Sequence, residues 1–421
     1  MSPVTQYVFD GKKWQNEVTT SRSSVAVAGA STRPTGPDYI RYEDLYKAGD
    51  TLQQTFNRLT VAKIVTMPPG VFDTKVLWGK GPLLSGATPP AAYAFRPPKI
   101  CRGIIGSGRG SLGSTSGTVI RLTPNTCRSE SEGGSWFQGG GSGSGSFILK
   151  NIHIEGTDQG KQTKSDGRPG YDGVSPKLFT NCFLNNFGGP LVVEDVLTTG
   201  WYGNNGAPPG ETFGLQVYNC HNHIMRRVEA DGRREPGGLA FGAVGLTAGN
   251  CVGAKWYNCY SHHSNAKTYA MVFFQSFDCK TWDCRLGDSG DGDGFGQFGY
   301  NGGGFNQERV SGAEHYNMKI YMNRKAGDKG VHFNHSSDAW SATFLGVTRS
   351  CNKGTTKIID ATWNNIWSKP ENQLYVSTWI PYGGKPNAIT VSPEVITSGK
   401  NVPFRWVYGG RHVTVTGPYA M

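Results

Sequence analysis

Nowhere in this 421-residue sequence do apolar residues run for the ~20 positions that a membrane-crossing helix needs, so no membrane insertion is expected. Charge is also sparse: 17% of residues are Asp, Glu, Lys or Arg, against a usual share of about 25%. The basic residues are scattered, tight pairs such as Arg226-Arg227 and Arg233-Arg234 are few, and no basic block of the kind used as a nucleic-acid arm exists. Nucleic acid is therefore not an expected partner. The start, Met1 followed by SPVTQYVFDGKKWQ, has neither the cationic nor the apolar region of a secretory signal. This predicts synthesis in a reducing cytosol, with release by lysis or within a particle if the protein works outside a cell. Nine cysteines, an odd number, agree with free thiols rather than a disulfide framework.

Glycine, by contrast, is in excess, at 60 residues, roughly double its usual share of about 7%. It is spread along the chain without a collagen period, and the 12% aromatic content argues against wholesale disorder. A turn-rich β protein remains. The net charge of +11 predicts a surface that attracts polyanions such as acidic glycans or teichoic-type polymers, without choosing among them.

Three segments are expected. Residues 1–36 are polar, end in the breaker-rich STRPTGPD and contain YVFDGKKW, which predicts one hairpin around Asp10-Gly11; they read as an attachment or oligomerisation segment. Residues 37–371 read as a solenoid with an N-terminal cap. Residues 372–421, with the alternating NQLYVSTWI, AITVSP and FRWVY, read as an antiparallel β cap or appendage. In the cap, Leu52, Phe56 and Leu59 fall at helical spacing, Asp50 or Thr51 can cap the start, and Ile64–Met67 reads as a strand stopped by Pro68-Pro69-Gly70. Beyond it no helix is predicted.

A short phrase recurs through the middle: KNIHIEG (150–156), EDVLTTG (194–200), YNCHNHI (218–224), YNCYSHH (257–263), WDCRLGD (282–288) and YNMKIYM (316–322). Its Asn/Asp positions step by 24 or 25 residues at best and by 34 to 44 elsewhere, while TNCFLNN (180–186) lies out of step. Short strands at such a period, separated by turn residues, call for an all-β parallel solenoid in which each coil stacks on the last. Some ten coils between residues 75 and 350, at about 4.8 Å per rung, would make a rod on the order of 50 Å long. Cys182, Cys220, Cys259 and Cys284 each follow the Asn/Asp, which predicts one internal ladder of buried thiols. The repeated Asn predicts a side-chain ladder at a turn. No CxxC pair or ligand-spaced Cys/His cluster is present, so no metal site and no cofactor is expected.

The opening DTLQQTFN…IVTMPPGVFD, the stretch RGIIGSGRGSLGSTSGTVIRLTPN at Arg102–Asn125 and the YNC rungs together resemble the pectate-lyase-like right-handed parallel β-helix superfamily over about residues 40–360. Within it the chain is most similar to minor tail proteins or tailspikes of tailed phages that infect actinobacteria, and YVFDGKKW is similar to tail-attached N-terminal segments. The resemblance implies a virion component at the tail tip, a homotrimer joined to other tail proteins through its N-terminal segment. It also implies contact with a host cell-surface polysaccharide, which some members cleave. The WIDH phrase of pectate lyases is missing, the nearest text being WDCR at Trp282, and so are the paired-Asp and GHG phrases of polygalacturonases. No catalytic residue therefore carries over.

Candidate chemistry comes from the residues themselves. In LGDSGDGDGFG, Asp288, Asp291 and Asp293 could serve as acid and base or nucleophile on a glycan, could hold Ca²⁺, or could shape a solvated turn. The calcium-loop pattern fails at its twelfth position, Gly299, so Ca²⁺ has no motif behind it. In VEADGRREPGG, Glu229, Asp231 and Arg233 lie after a rung, a composition suited to lyase chemistry and equally to surface salt bridging. His221, His223, His262 and His263 follow two rungs and could line one face, suited to general acid-base work or to a metal or lying there as bystanders, with His262 and His263 also candidates for glycan binding. Trp201, Tyr202, Tyr269, Phe298 and Tyr300, among Gly and Asn, suit sugar stacking, with groove walls at 203–212 and 287–307. The glycine-rich 107–114 and 139–146 read as turns or flexible loops. The expected function is a phage minor tail protein that recognises a host-surface glycan; the alternative is a glycan-cleaving tailspike, a polysaccharide lyase or glycoside hydrolase.

Overall fold

The computed structural model describes residues 4–9, 14–19, 33–74, 93–122, 133–141, 145–156, 180–201, 213–233, 244–263, 269–289, 303–308, 310 and 312–322, and shorter strands between 331 and 406. The chain divides into two compact units, Met1–Arg33 and Pro34–Met421. In the first, Val4–Phe9 and Trp14–Thr19 form the antiparallel hairpin predicted around Asp10-Gly11, with Phe9 opposite Trp14.

The second unit is a parallel β-helix. Each coil contributes three short strands, one to each of three faces. A middle coil runs from Phe213–Tyr218 on face C, through Ile224–Arg226 on face A and Glu229–Asp231 on face B, and back to face C at Val244–Gly249. Every such strand pairs in parallel with its counterpart in the next coil, as Glu229 does with Tyr260 and Met225 with Trp256. Face C alone is a sheet of ten strands from Tyr93–Phe95 to Phe404–Trp406. Because successive side chains alternate sides, each strand places one residue inward per two, and the inward columns are mostly apolar. On face B that column reads Ile120, Ile154, Thr198, Ala230, Ser261 and Leu286, all without exposure.

The cap forms as the spacing predicts. Leu52–Asn57 is helical, and Thr51 closes a capping box with Gln54. Leu52, Phe56 and Leu59 are buried beneath it, Phe56 meeting Phe95 edge-on at 5.0 Å. A single turn of helix at Tyr42–Leu45 precedes it, too short for periodicity to reveal.

Two sequence expectations change. The strands Leu374–Thr378, Ala388–Val391 and Phe404–Trp406 pair in parallel with earlier coils, so the described part of 372–421 continues the helix instead of forming an antiparallel appendage. Alternation is shared by half-buried parallel and antiparallel strands, which is why pattern alone misassigned them. The other change concerns the repeat. The turn between faces A and B is taken by Asn151, Asp195, Arg227, Asn258, Asp283 and Asn317, all with positive φ near 50–55°. Asn219 belongs to a different turn, between faces C and A, with Asn250 in the next coil. The YNC phrase had merged two corners, and Arg227 hid the missing member of the first. Asn and Asp recur there because they tolerate the left-handed backbone, and side-chain bonds such as Asn317 Nδ2 to Asp283 Oδ1 at 2.6 Å are secondary.

The thiols are likewise split. Cys220 and Cys251 sit on adjacent coils at the C–A corner, Cys259 and Cys284 at the A–B corner, and Cys182 within a face C strand. All are buried and free, and burial pushes Cys182 and Cys220 well above the ordinary thiol range.

Candidate functional site

Face B carries the densest polar constellation among the described residues, and it lies on the outward side of the strands. Parallel register aligns His153, Leu197, Glu229, Tyr260 and Arg285 in one outward column, and Arg121, Glu155, Thr199, Asp231 and His262 in the other. These positions point away from the core, yet Asp231 is only 2% exposed, His262 5% and His153 1%. Part of the enclosure is the glycine-rich 107–114 segment, whose Arg109 reaches across 120 residues to donate from Nη1 to Glu229 Oε2 at 2.8 Å.

The centre of the site is a chain of contacts. Glu229 Oε1 lies 3.2 Å from His262 Nε2, His262 Nδ1 lies 2.6 Å from His263 Nδ1, and His263 Nδ1 lies 3.3 Å from Asp231 Oδ1. Asp231 also accepts from Arg233 through Nε at 3.0 Å and Nη2 at 2.9 Å. Beside this, the Tyr260 and His262 rings stack at 3.8 Å, and Arg285 covers Tyr260 at 4.7 Å. In the coils before it, His153 Nε2 is 2.7 Å from Thr199 Oγ1, and Arg121 forks onto Glu155.

The electrostatics follow from these partners. Burial raises the carboxyl of Asp231, but His263 and the Arg233 fork outweigh it and hold the group below the ordinary carboxylate range. Glu229 is lowered in the same way, burial being overcome by His262 and Arg109. Both acids are therefore ionised at neutral pH, which suits them to hold cations or accept hydrogen bonds. A glycosidase acid must instead keep its proton near neutrality, a role neither residue fills in this arrangement.

The sequence candidates divide sharply. Glu229, Asp231 and Arg233 do come together, on a strand and the turn after it rather than on a loop, and they meet His262 and His263 from the next coil. His223 is removed from that set: it is fully buried, accepts from Trp256 Nε1 at 2.9 Å, and burial lowers it to about 3. His221 sits at the C–A corner. Trp201 is fully buried and closed to a sugar. Tyr269 begins the face C strand Tyr269–Phe274, and Asp288 lies in the face B strand Arg285–Ser289. Tyr202, Asp291, Asp293, Phe298 and Tyr300, with most of both proposed groove walls, lie outside the described residues.

Sequence reasoning missed Arg109, Tyr260, His153 and the Arg121–Glu155 pair. Tyr260 was legible, since it stands two residues before His262 and so on the same side of a strand. Arg109 carried no signal, because its partner is 120 residues away. The outward stack of Tyr257, Trp282 and Tyr316 on face A, with interplanar angles of 6° and 5°, was also unforeseen. Its rings cover one another's facing sides, so both faces of the middle ring, Trp282, are taken.

No protein-family model and no curated protein matches the chain. Solved structures do. The A-module of the mannuronan C-5 epimerase AlgE4 of Azotobacter vinelandii is 13% identical, with 90% of this chain and 100% of that chain covered and a TM-score of 0.39. DFA-IIIase of Arthrobacter chlorophenolicus A6 without its lid is 10% identical, with 91% and 93% covered and a TM-score of 0.49. The enzymatically active domain of tailspike protein 2 from bacteriophage CBA120 is 9% identical, with 90% and 47% covered and a TM-score of 0.46. At such identities and scores the assignment of this chain to the parallel β-helix fold rests on its own strand pairing, in which each coil stacks in parallel on the one before.

Proposed function

We propose that this protein is a phage tail-tip component that recognises a host cell-surface glycan, and that the outward side of face B around Glu229, Tyr260 and His262 is where the sugar binds. The observation that carries the reading is the convergence of ion-paired carboxylates, guanidinium forks, histidines and one aromatic ring on adjacent coils of a rigid scaffold. Sugar hydroxyls need donors and acceptors that are already oriented, and Arg109, Arg233, Glu229 and Asp231 supply both. The excess of positive charge adds long-range attraction to an acidic envelope polymer. The tail-tip role, the homotrimer and attachment through residues 1–36 rest on the sequence resemblance to tail proteins of actinobacterial phages.

Glycan cleavage is the second reading, favoured by two carboxylates that lie 3.2 and 3.9 Å from the same His262 Nε2. The first reading is preferred over hydrolysis because neither carboxylate is held protonated as a general acid would be. Incubating the protein with isolated actinobacterial envelope polysaccharide, and analysing the soluble sugars by mass spectrometry, separates the two. Co-sedimentation without released oligomers supports recognition; unsaturated oligomers would mean a lyase and water-added ones a hydrolase.

A further inference from the structure

The residues at the centre of face B place nitrogen and oxygen donors around one point. Ligand atoms of Asp231, His262 and His263 lie within 4.8 Å of one another, and these side chains are only 3%, 6% and 13% exposed. We infer that they form a site for a divalent transition-metal ion of the Zn²⁺ class. This goes beyond glycan recognition and does not depend on it.

Four features of the geometry point to it. With Nε2–H of His262 donated to Glu229, the ring's Nδ1 presents its lone pair toward His263 Nδ1, 2.6 Å away. Two ring nitrogens this close require a proton or a cation between them. A carboxylate behind a histidine is also the arrangement that orients metal-ligating imidazoles, and Arg233 orients Asp231 in the same manner. Tetrahedral ligands bonded at about 2.0–2.1 Å stand on the order of 3.3 Å apart. The His263 Nδ1 to Asp231 Oδ1 separation is 3.3 Å, and the two nitrogens need to open by less than an ångström. Finally, His263 adopts φ 51° at a position that the preceding coils fill with Gly156, Gly200 and Gly232. A side chain is thus carried, in the left-handed region, where the three coils immediately before it use glycine.

The donor set fixes the class of ion. Two imidazoles and one carboxylate suit Zn²⁺, Co²⁺ or Ni²⁺, whereas Ca²⁺ takes six to eight oxygen ligands that this cluster does not supply. Three protein ligands also leave coordination open to water or to a sugar oxygen.

The test is equilibrium dialysis of the full chain against Zn²⁺ with elemental analysis, and visible absorption on adding Co²⁺. The expected result is about one ion per chain, not displaced by excess Ca²⁺, with the d–d bands of a low-coordinate Co²⁺ site. His263→Gly should keep the fold, since glycine is native to that position in neighbouring coils, and should weaken binding by on the order of 100-fold. His263→Asn, which also tolerates the left-handed backbone, serves if the glycine variant fails to fold. Glu229→Gln should weaken binding about 10-fold through its effect on His262. No stoichiometric ion in the wild type overturns the inference in favour of a shared proton. Equal binding by a folded His263 variant overturns it in favour of another location.

Discussion

Glu229 and His262, 33 residues apart in sequence, meet at 3.2 Å because their strands are neighbours in face B and both side chains point outward. Each belongs to one strand of three residues, so neither could hold the other without the stacking of coils. The site is therefore a property of the solenoid rather than of a loop, and perturbing the stacking should perturb the site.

Acid should weaken the fold earlier than carboxylate protonation alone would. Burial lowers His153 to about 4 and His223 to about 3, so both are neutral when folded and charge readily once exposed. A depressed folded value means that their contribution is fully present above the unfolded value of about 6.5 and is lost progressively as pH falls toward 4 and then 3. Denaturant melts between pH 7.5 and 4 should show stability falling from about pH 6.5 downward, with up to ~2 protons taken up by this pair on unfolding. His153→Gln should reduce the slope.

Core and outer aromatics should differ in weight. Trp256 is fully buried, edge-on to Phe273 at 4.8 Å, and bonded to His223. Trp256→Ala should cost about 3–5 kcal/mol, and it strands the histidine. Trp282 stacks on Tyr257 at 4.7 Å on the outside, and Trp282→Ala should cost about 1 kcal/mol. Chemical denaturation of the two variants side by side checks the ranking.

Corner residues should be sensitive to backbone preference. Asn258 has φ 52°, so Asn258→Val should destabilise by about 1–2 kcal/mol while Asn258→Gly is tolerated. At Gly156 the obstacle is space: a Cβ would run into the Gly200 carbonyl and stand 2.7 Å from the Asn181 amide. Gly156→Ala should lower the melting temperature markedly, whereas His263→Gly, at the equivalent position of a later coil, should not.

How far the sequence spoke depends on how local the cause was. The Thr51 cap, the Leu52–Phe56–Leu59 face and the Asp10-Gly11 hairpin are set by neighbours within a few residues, and all were legible. The solenoid was legible too, because each coil repeats a strand-turn phrase. Its register was not, since Asn219 and Asn258 serve different corners with the same left-handed backbone and Arg227 replaces the expected amide. The site was half legible: Glu229, Asp231, Arg233, His262 and His263 were named, but as two unrelated sets. Only the pairing of Asp231 with His262 across coils joins them, and the reach of Arg109 follows from a loop path that no spacing encodes.

The most direct test of the glycan site is co-sedimentation with isolated actinobacterial envelope polysaccharide, comparing the wild type with Arg109→Ala and Tyr260→Ala. Both side chains lie on the outward side of the helix, so circular dichroism and melting temperature should stay close to wild type. The wild type should sediment with the polysaccharide while each variant loses on the order of 10-fold in affinity, through a lost charge-assisted hydrogen bond or through loss of the ring that holds His262 in place by stacking. Sedimentation of both folded variants at wild-type affinity would contradict this placement of the site and move recognition to another face.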